Sequence, residues 1–301
     1  MVLIHFVIAA KFCFLNSQTN FLLESKDYFG VDASVIGDES ASVYVSSVAA
    51  VFLVLPLVGY LYEILGRRLI IAMTLLSSCI CVFIVPYTSP NLHLLKLVRS
   101  ILGIFEHVAA AHPLNTDYVK SDSRGKGITL TVFGSLLGEV FGANLLGWTG
   151  NMDITLSFQI VAGVSLSLCV LVPLMMREPS LKLSENDEVD QSLWEKIKSL
   201  TSEACTLWCS DNRYLLSSIG STLSWSGIYV ALQVYYILWV KSFTDSGLTS
   251  DAEVKNVFKD TLMIGTCVSL VLIPLCGQLA DEVPAYIFLP IASAFRGIVA
   301  L

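Results

Sequence analysis

Pro56-Leu57-Val58-Gly59-Tyr60-Leu61-Tyr62-Glu63-Ile64-Leu65-Gly66-Arg67-Arg68 decides the fold: a long apolar run ends in an acid, a glycine and two arginines, and another apolar run begins at once. The pattern predicts two membrane spans joined by a very tight basic turn, since a helix needs about 20 predominantly apolar residues to cross a hydrocarbon core of about 30 Å. A partial copy lies far downstream as Pro274-Leu275-Cys276-Gly277-Gln278-Leu279-Ala280-Asp281-Glu282-Val283-Pro284, with the same Pro-Leu-x-Gly-x-Leu-x-acid spelling. The chain therefore reads as an internal duplication.

Composition points the same way. Soluble domains average roughly 45–50% apolar and about 25% charged residues, whereas this chain is 54% apolar and 14% charged, with a mean hydropathy of +0.70. No basic patch with interleaved aromatics accompanies the net charge of −7, so nucleic acid is not an expected partner. Of the eight cysteines, Cys13, Cys79, Cys81, Cys169, Cys267 and Cys276 fall in apolar runs and read as small hydrophobes. Cys205 and Cys209 share a helix face with no histidine nearby, so no metal site is expected. The absence of a Walker-type phosphate loop and of a nucleophile–base constellation predicts neither ATP drive, cofactor nor enzyme activity.

Nine candidate spans follow, near 2–24, 41–62, 69–87, 92–116, 127–148, 154–176, 214–240, 258–280 and 285–301. The first is interrupted by Lys11, Asn16, Gln18 and Asn20, and reads as a span with one polar face; a signal peptide would need a basic n-region and a cleavage site. Arg67, Arg68, Lys120, Arg124, Lys126, Arg177, Lys182, Lys196, Lys198 and Arg213 collect on one side, which the positive-inside rule makes cytoplasmic together with the N-terminus. Three units result: a six-helix bundle over 1–176, a cytoplasmic linker over 177–213, and a partial bundle of three spans over 214–301. In the linker, Leu193, Ile197, Leu200, Ala204 and Leu207 recur at helical spacing, which fits either a helix lying at the interface or one capping the bundle.

Gly59-x-x-x-Glu63-x-x-Gly66-Arg67-Arg68 between the second and third spans resembles the signature loop of the major facilitator superfamily, and the likeness in layout covers nearly the whole chain. The resemblance implies an all-α integral membrane protein of two bundles, the second incomplete, that transports a small organic solute by alternating access around a site near the bilayer midplane. It also implies a conformational gating role for Gly59, Glu63, Gly66, Arg67 and Arg68. The tract Pro113, Asp117, Tyr118, Asp122, Arg124, Gly125 resembles the family's loop between spans four and five, with Arg124 as anchor, and Asp281 is the matching acid of the second copy.

Ionisable residues inside spans are functional candidates by default. Arg99 opens a stretch that resembles the family's fourth-span Arg-x-x-x-Gly-x-Gly pattern, with Phe105 in place of the second glycine, and Glu106, seven residues on, lies on the same helix face about 10 Å along the axis. The two are expected to flank one polar cavity rather than to pair. Gly134, Gly138 and Gly142 repeat every four residues, a spacing that brings helices close, and Glu139 sits among them. An Arg99–Glu139 buried pair is expected, with Glu139 or Glu106 able to take a proton during transport; a purely structural pair is the other reading. His107 and His112, five apart, do not share a face and read as structural.

Expected substrate contacts are Asn16, Gln18 and Asn20 in the first span, Asn144 in the fifth, Gln159 in the sixth, and Trp225, Tyr229, Gln233 and Tyr236 in the seventh. Expected partners are thus a small-molecule substrate, the lipid bilayer and protons. A complete plan of two times six spans needs three more after Leu301, so the chain is expected to be a fragment or short isoform. The competing function is a non-transporting, receptor-like protein that regulates a full-length relative.

Overall fold

The computed structural model describes residues 2–109, 118–119, 124–176, 198, 202, 206, 235–242 and 250–282. All regular structure among them is helical. The helices are α1 (Val2–Glu24), α2 (Ile36–Leu65), α3 (Arg67–Ile84) with a 3-10 turn at Val85–Thr88, α4 (Leu92–Ala109), α5 (Arg124–Trp148), α6 (Ile154–Met175) and α7 (Asp251–Glu282), with a further helical stretch at 235–242. Helices prevail because a segment crossing hydrocarbon must satisfy its own backbone hydrogen bonds. Val2–Glu24, Arg67–Thr88, Lys126–Trp148 and Ile154–Met175 are each long and apolar enough to cross. At 30 and 32 residues, α2 and α7 also exceed the required length.

Two helices start earlier than hydropathy predicts. The first turn of α2 carries Asp38 and Glu39, and that of α7 carries Asp251 and Glu253. Acids there are favoured by the positive end of the helix dipole, so polar residues that read as loop belong to the helix. The tight turn takes its minimal form: Gly66 alone separates α2 from α3, at a φ of 79° that side chains with a Cβ rarely adopt. The span expected at 285–301 lies outside the described residues, as do all of the linker except Lys198, Ser202 and Thr206 and all of the seventh span ahead of 235.

α1 is the enclosed element. It lies along α5 and also meets α6 and α2, while α3 packs on α4 and α6, and α7 runs along α5. The contact with α5 depends on glycine: a Cβ at Gly134, Gly138 or Gly142 would come within 2.5, 2.2 and 2.3 Å of the carbonyl oxygens of Val2, Phe6 and Ala10. Gly103 does the same for α4 against α2, where a Cβ would meet the Ser47 carbonyl oxygen at 2.4 Å. Apolar packing falls into two clusters. One includes Phe14, Leu22, Val82, Leu95, Leu146 and Phe158, reaching Ile237 and Phe258; the other joins Val7, Tyr62, Ile71, Leu75, Val108 and Val172. Met73, Ile80, Leu130, Leu174, Ile264 and Val271 are exposed, an outward apolar surface that suits lipid.

Replacing Gly138 or Gly142 by alanine forces α1 and α5 apart, and overpacking of this kind costs typically about 1–3 kcal/mol. Gly163→Ala meets nothing within 4 Å and gains helix propensity, roughly 1 kcal/mol. Thermal unfolding in detergent is expected to show a lowered midpoint for the first two variants and an unchanged or raised one for the third.

Candidate functional site

α1 buries a row of polar side chains: Lys11, Asn16, Ser17, Gln18, Thr19 and Asn20. Asn16 and Asn20, one turn apart, meet side chains of α4 and α2. Arg99, only 3% exposed, donates through Nη2 to Oδ1 of Asn16 at 2.6 Å. Ser40 donates from its hydroxyl to Oδ1 of Asn20 at 2.5 Å. Between them is a cavity of about 10 Å³ lined by Asn16, Thr19, Asn20, Ser40, Val43, Tyr44 and Arg99, roughly the space one water needs. The Phe12 ring meets Tyr44 edge-on at 6.0 Å between centroids.

A second polar group lies further toward the start of α1. The Lys11 ammonium, fully buried, is 3.6 Å from a carboxylate oxygen of Glu106 and donates to the Ser78 hydroxyl of α3. Beside Ser78, the thiols of Cys79 and Cys169 are 3.5 Å apart. Arg99 and Glu106 are thus each engaged by α1 rather than by each other. The structure corrects the expected Arg99–Glu139 pair: Asn16 holds the guanidinium. The reason is helix adjacency, since α5 turns its glycine face onto α1, where the half-buried Glu139 acts on Cys13, while the groups whose fields reach Arg99 are Glu106 and Tyr44. Lys11 was legible only as an interruption of a span, although a lysine within a span is as costly as Arg99 and equally calls for a partner.

The remaining expected contacts are scattered. Asn144 donates to the Val140 carbonyl of its own helix at 2.8 Å, and Gln159 donates to the Tyr87 hydroxyl at 2.6 Å. Tyr236 stacks on Trp239 and packs on Phe258, both at 5.8 Å. Gln18 is fully buried, neither of its amide atoms is hydrogen-bonded among the described residues, and it does not line the cavity. Trp225, Tyr229 and Gln233 lie outside the described residues.

Of the gating set, Gly59 and Glu63 belong to α2, Arg124 begins α5 and Asp281 is in the last turn of α7. Arg67 is buried and donates through Nη1 to the Tyr62 carbonyl at 3.0 Å; Arg68 is exposed. The Tyr62 hydroxyl donates to the Val108 carbonyl at 2.6 Å, tying α2 to α4 at this end.

The opposite end of α1 carries a charged junction that sequence reasoning missed. Lys241 pairs with Glu24 and, at 3.0 Å, with Asp251. The ammonium groups of Lys241 and Lys255 stand 4.7 and 4.5 Å from the centre of the Phe21 ring, within reach of cation–π attraction. Lys255 precedes the span expected at 258–280. Burial pushes its ammonium down to about 8, opposed by Asp251 and assisted by Lys241.

The family model described as Major Facilitator Superfamily matches residues 5–301. No curated protein matches the chain.

Because the fold depresses the Lys255 value, the folded state disfavours its proton. Stability is lowest below about 8 and rises as pH climbs toward the ordinary lysine value of 10.5. Thermal melts between pH 8 and pH 10 are expected to show wild type gaining on Lys255→Met; parallel curves would refute the assignment.

Proposed function

The chain belongs to the major facilitator superfamily, and from that membership we propose that it carries a small organic solute across a membrane by alternating access, with Asn16, Asn20, Ser40, Tyr44 and Arg99 as the first bundle's share of the solute site. It is a multi-pass integral membrane protein. The observation that carries the reading is Arg99: a buried guanidinium, held to α1 by a neutral amide, at the edge of a polar cavity. Buried ionisable groups in spans mark substrate and ion pathways. With room for about one water, the cavity corresponds to a closed conformation, and rocking of the bundles opens it.

Around this site the other residues take roles. Gly59, Glu63, Gly66, Arg67, Arg68, Arg124 and Asp281 form the gate on the side where basic residues collect, which the positive-inside rule makes cytoplasmic along with the N-terminus and the 177–213 linker. Glu24, Lys241 and Asp251 close the outer side by joining α1 to α7 and the helical stretch before it. Coupling to protons belongs to Glu106. Protonation of its carboxylate removes the charge facing Lys11, so a proton and the position of α1 exert force on one another through a 3.6 Å contact. Glu139 is a second carboxylate on the opposite flank of α1.

Uptake or counterflow in proteoliposomes tests the reading. Saturable uptake of a solute is expected, together with at least a tenfold loss in Arg99→Gln. Binding without translocation would replace transport by the receptor-like alternative. Glu106→Gln is expected to flatten the dependence of uptake on pH. Removing one member of a buried ion pair costs typically about 3–5 kcal/mol; the double variant Lys11→Met/Glu106→Gln is therefore expected to melt higher than Glu106→Gln while its uptake stays pH-independent. Unchanged pH dependence in both would remove Glu106 from coupling.

A further inference from the structure

Resting on the transport reading, the electrostatics of the cavity go one step further and select the class of solute. Two buried cations and a buried carboxylate stand near one another in α1 and α4. Their pairing is uneven. Glu106 lies 3.6 Å from the Lys11 ammonium, whereas the only group within hydrogen-bond distance of the Arg99 guanidinium among the described residues is the Asn16 amide oxygen. A guanidinium does not lose its proton in a protein, and a buried charge demands a counter-charge. Glu106 and the Tyr44 hydroxyl are the titratable groups whose fields reach Arg99; the first also faces Lys11 at 3.6 Å and neither is hydrogen-bonded to the guanidinium.

The hydrogen bonds show the same deficit. Nε of Arg99 and Nδ2 of Asn16 are both buried, and neither has an acceptor among the described residues. They belong to the two side chains already joined at 2.6 Å, and both side chains line the cavity. The two amide oxygens that line the cavity each already accept a hydrogen bond, Oδ1 of Asn16 from Arg99 and Oδ1 of Asn20 from Ser40. Among the described residues the cavity lining therefore offers a positive charge and two spare N–H donors, and holds no carboxylate. We infer that the transported solute is an organic anion whose carboxylate docks on Arg99 and Asn16, supplying the counter-charge that no described residue lining the cavity carries. A planar carboxylate matches the fork of N–H donors that arginine presents. A cationic solute is repelled, and a neutral one leaves the guanidinium unpaired.

Thermal shift of the full chain in detergent, in chloride-free buffer, tests this with matched acids and amides: benzoate and benzamide, succinate and succinamide, nicotinate and nicotinamide. A ligand that binds the folded state raises its apparent stability. At least one carboxylate is expected to raise the midpoint while its amide does not. Affinity is expected to fall about tenfold or more in Arg99→Lys, which keeps the charge and loses the fork, and to vanish in Arg99→Gln. Asn16→Asp supplies an internal counter-ion: this variant is expected to melt higher than wild type without ligand and to lose the carboxylate-induced shift. Equal shifts from acid and amide, or a carboxylate shift that survives Asn16→Asp, would overturn the inference, as would chloride alone reproducing the full shift. Uptake separates this from the underlying reading. Transport of neutral or cationic solutes with no carboxylate transport defeats the anion inference and leaves transport standing; no transport of any class defeats the transport reading.

Discussion

The close approach of α1 to α5 is the constraint on which the rest of the structure depends. In a bilayer, lipid tails are as apolar as leucine, so helices associate through packing and polar contact rather than through escape from water. Three glycines at four-residue intervals let the α1 carbonyls of Val2, Phe6 and Ala10 press directly on the α5 backbone. With that seam closed, and with α2 and α6 on its other flanks, α1 is removed from lipid almost along its length. Only a helix so enclosed can carry a lysine, two asparagines and a glutamine through the membrane.

Enclosure sets the electrostatic problem that the polar layer answers. Lys11 is answered by Glu106 and Ser78, Asn20 by Ser40, and Arg99 by an amide that satisfies one of its donors and none of its charge. The apolar clusters differ in reach. One stays within the six-helix bundle, while the other extends to Ile237 and Phe258, beside the junction of Lys241 with Glu24 and Asp251. That junction and the buried tyrosine bond from Tyr62 to Val108 lie at opposite ends of the bundle, so the polar layer sits between two ties of different chemistry. One is ionic and sensitive to salt; the other is a hydrogen bond buried among apolar side chains.

Much of this was legible in the residues. The glycine and arginines at 66–68 specified a very tight turn, which the structure makes with Gly66 alone; the apolar runs specified the helices, and the cost of a buried arginine singled out Arg99. Asn16 and Asn20, chosen because they share a face, do line one cavity. The misses have a common cause: hydropathy records depth in the membrane but not which helix is the neighbour. Arg99 and Glu139 match in depth, yet Asn16 holds the arginine. Lys11 and Glu106 were both visible, yet nothing local announced that they meet. Asn144 and Gln159 look like free polar groups in a string of letters, but one donates to its own helix and the other to a tyrosine. The early starts of α2 and α7 escaped for a different reason, because acids that lower hydropathy stabilise a helix N-terminus.

The composition of α1 also bears on how the protein is made. Its apolar window is the weakest of the four helices that meet the length and hydropathy requirement, with a hydropathy of 1.3, and a lysine at the centre of a span opposes translocon insertion by about 2.5–3.5 kcal/mol. The groups that compensate it, Glu106 and the glycines of α5, lie much later in the chain and leave the ribosome only afterwards, at about 5–20 residues per second. For that interval the nascent α1 carries a charge without its carboxylate. Its stable residence in the membrane thus waits on translation, and the order of synthesis becomes part of the assembly pathway: α4 and α5 have to arrive before the first helix is secure.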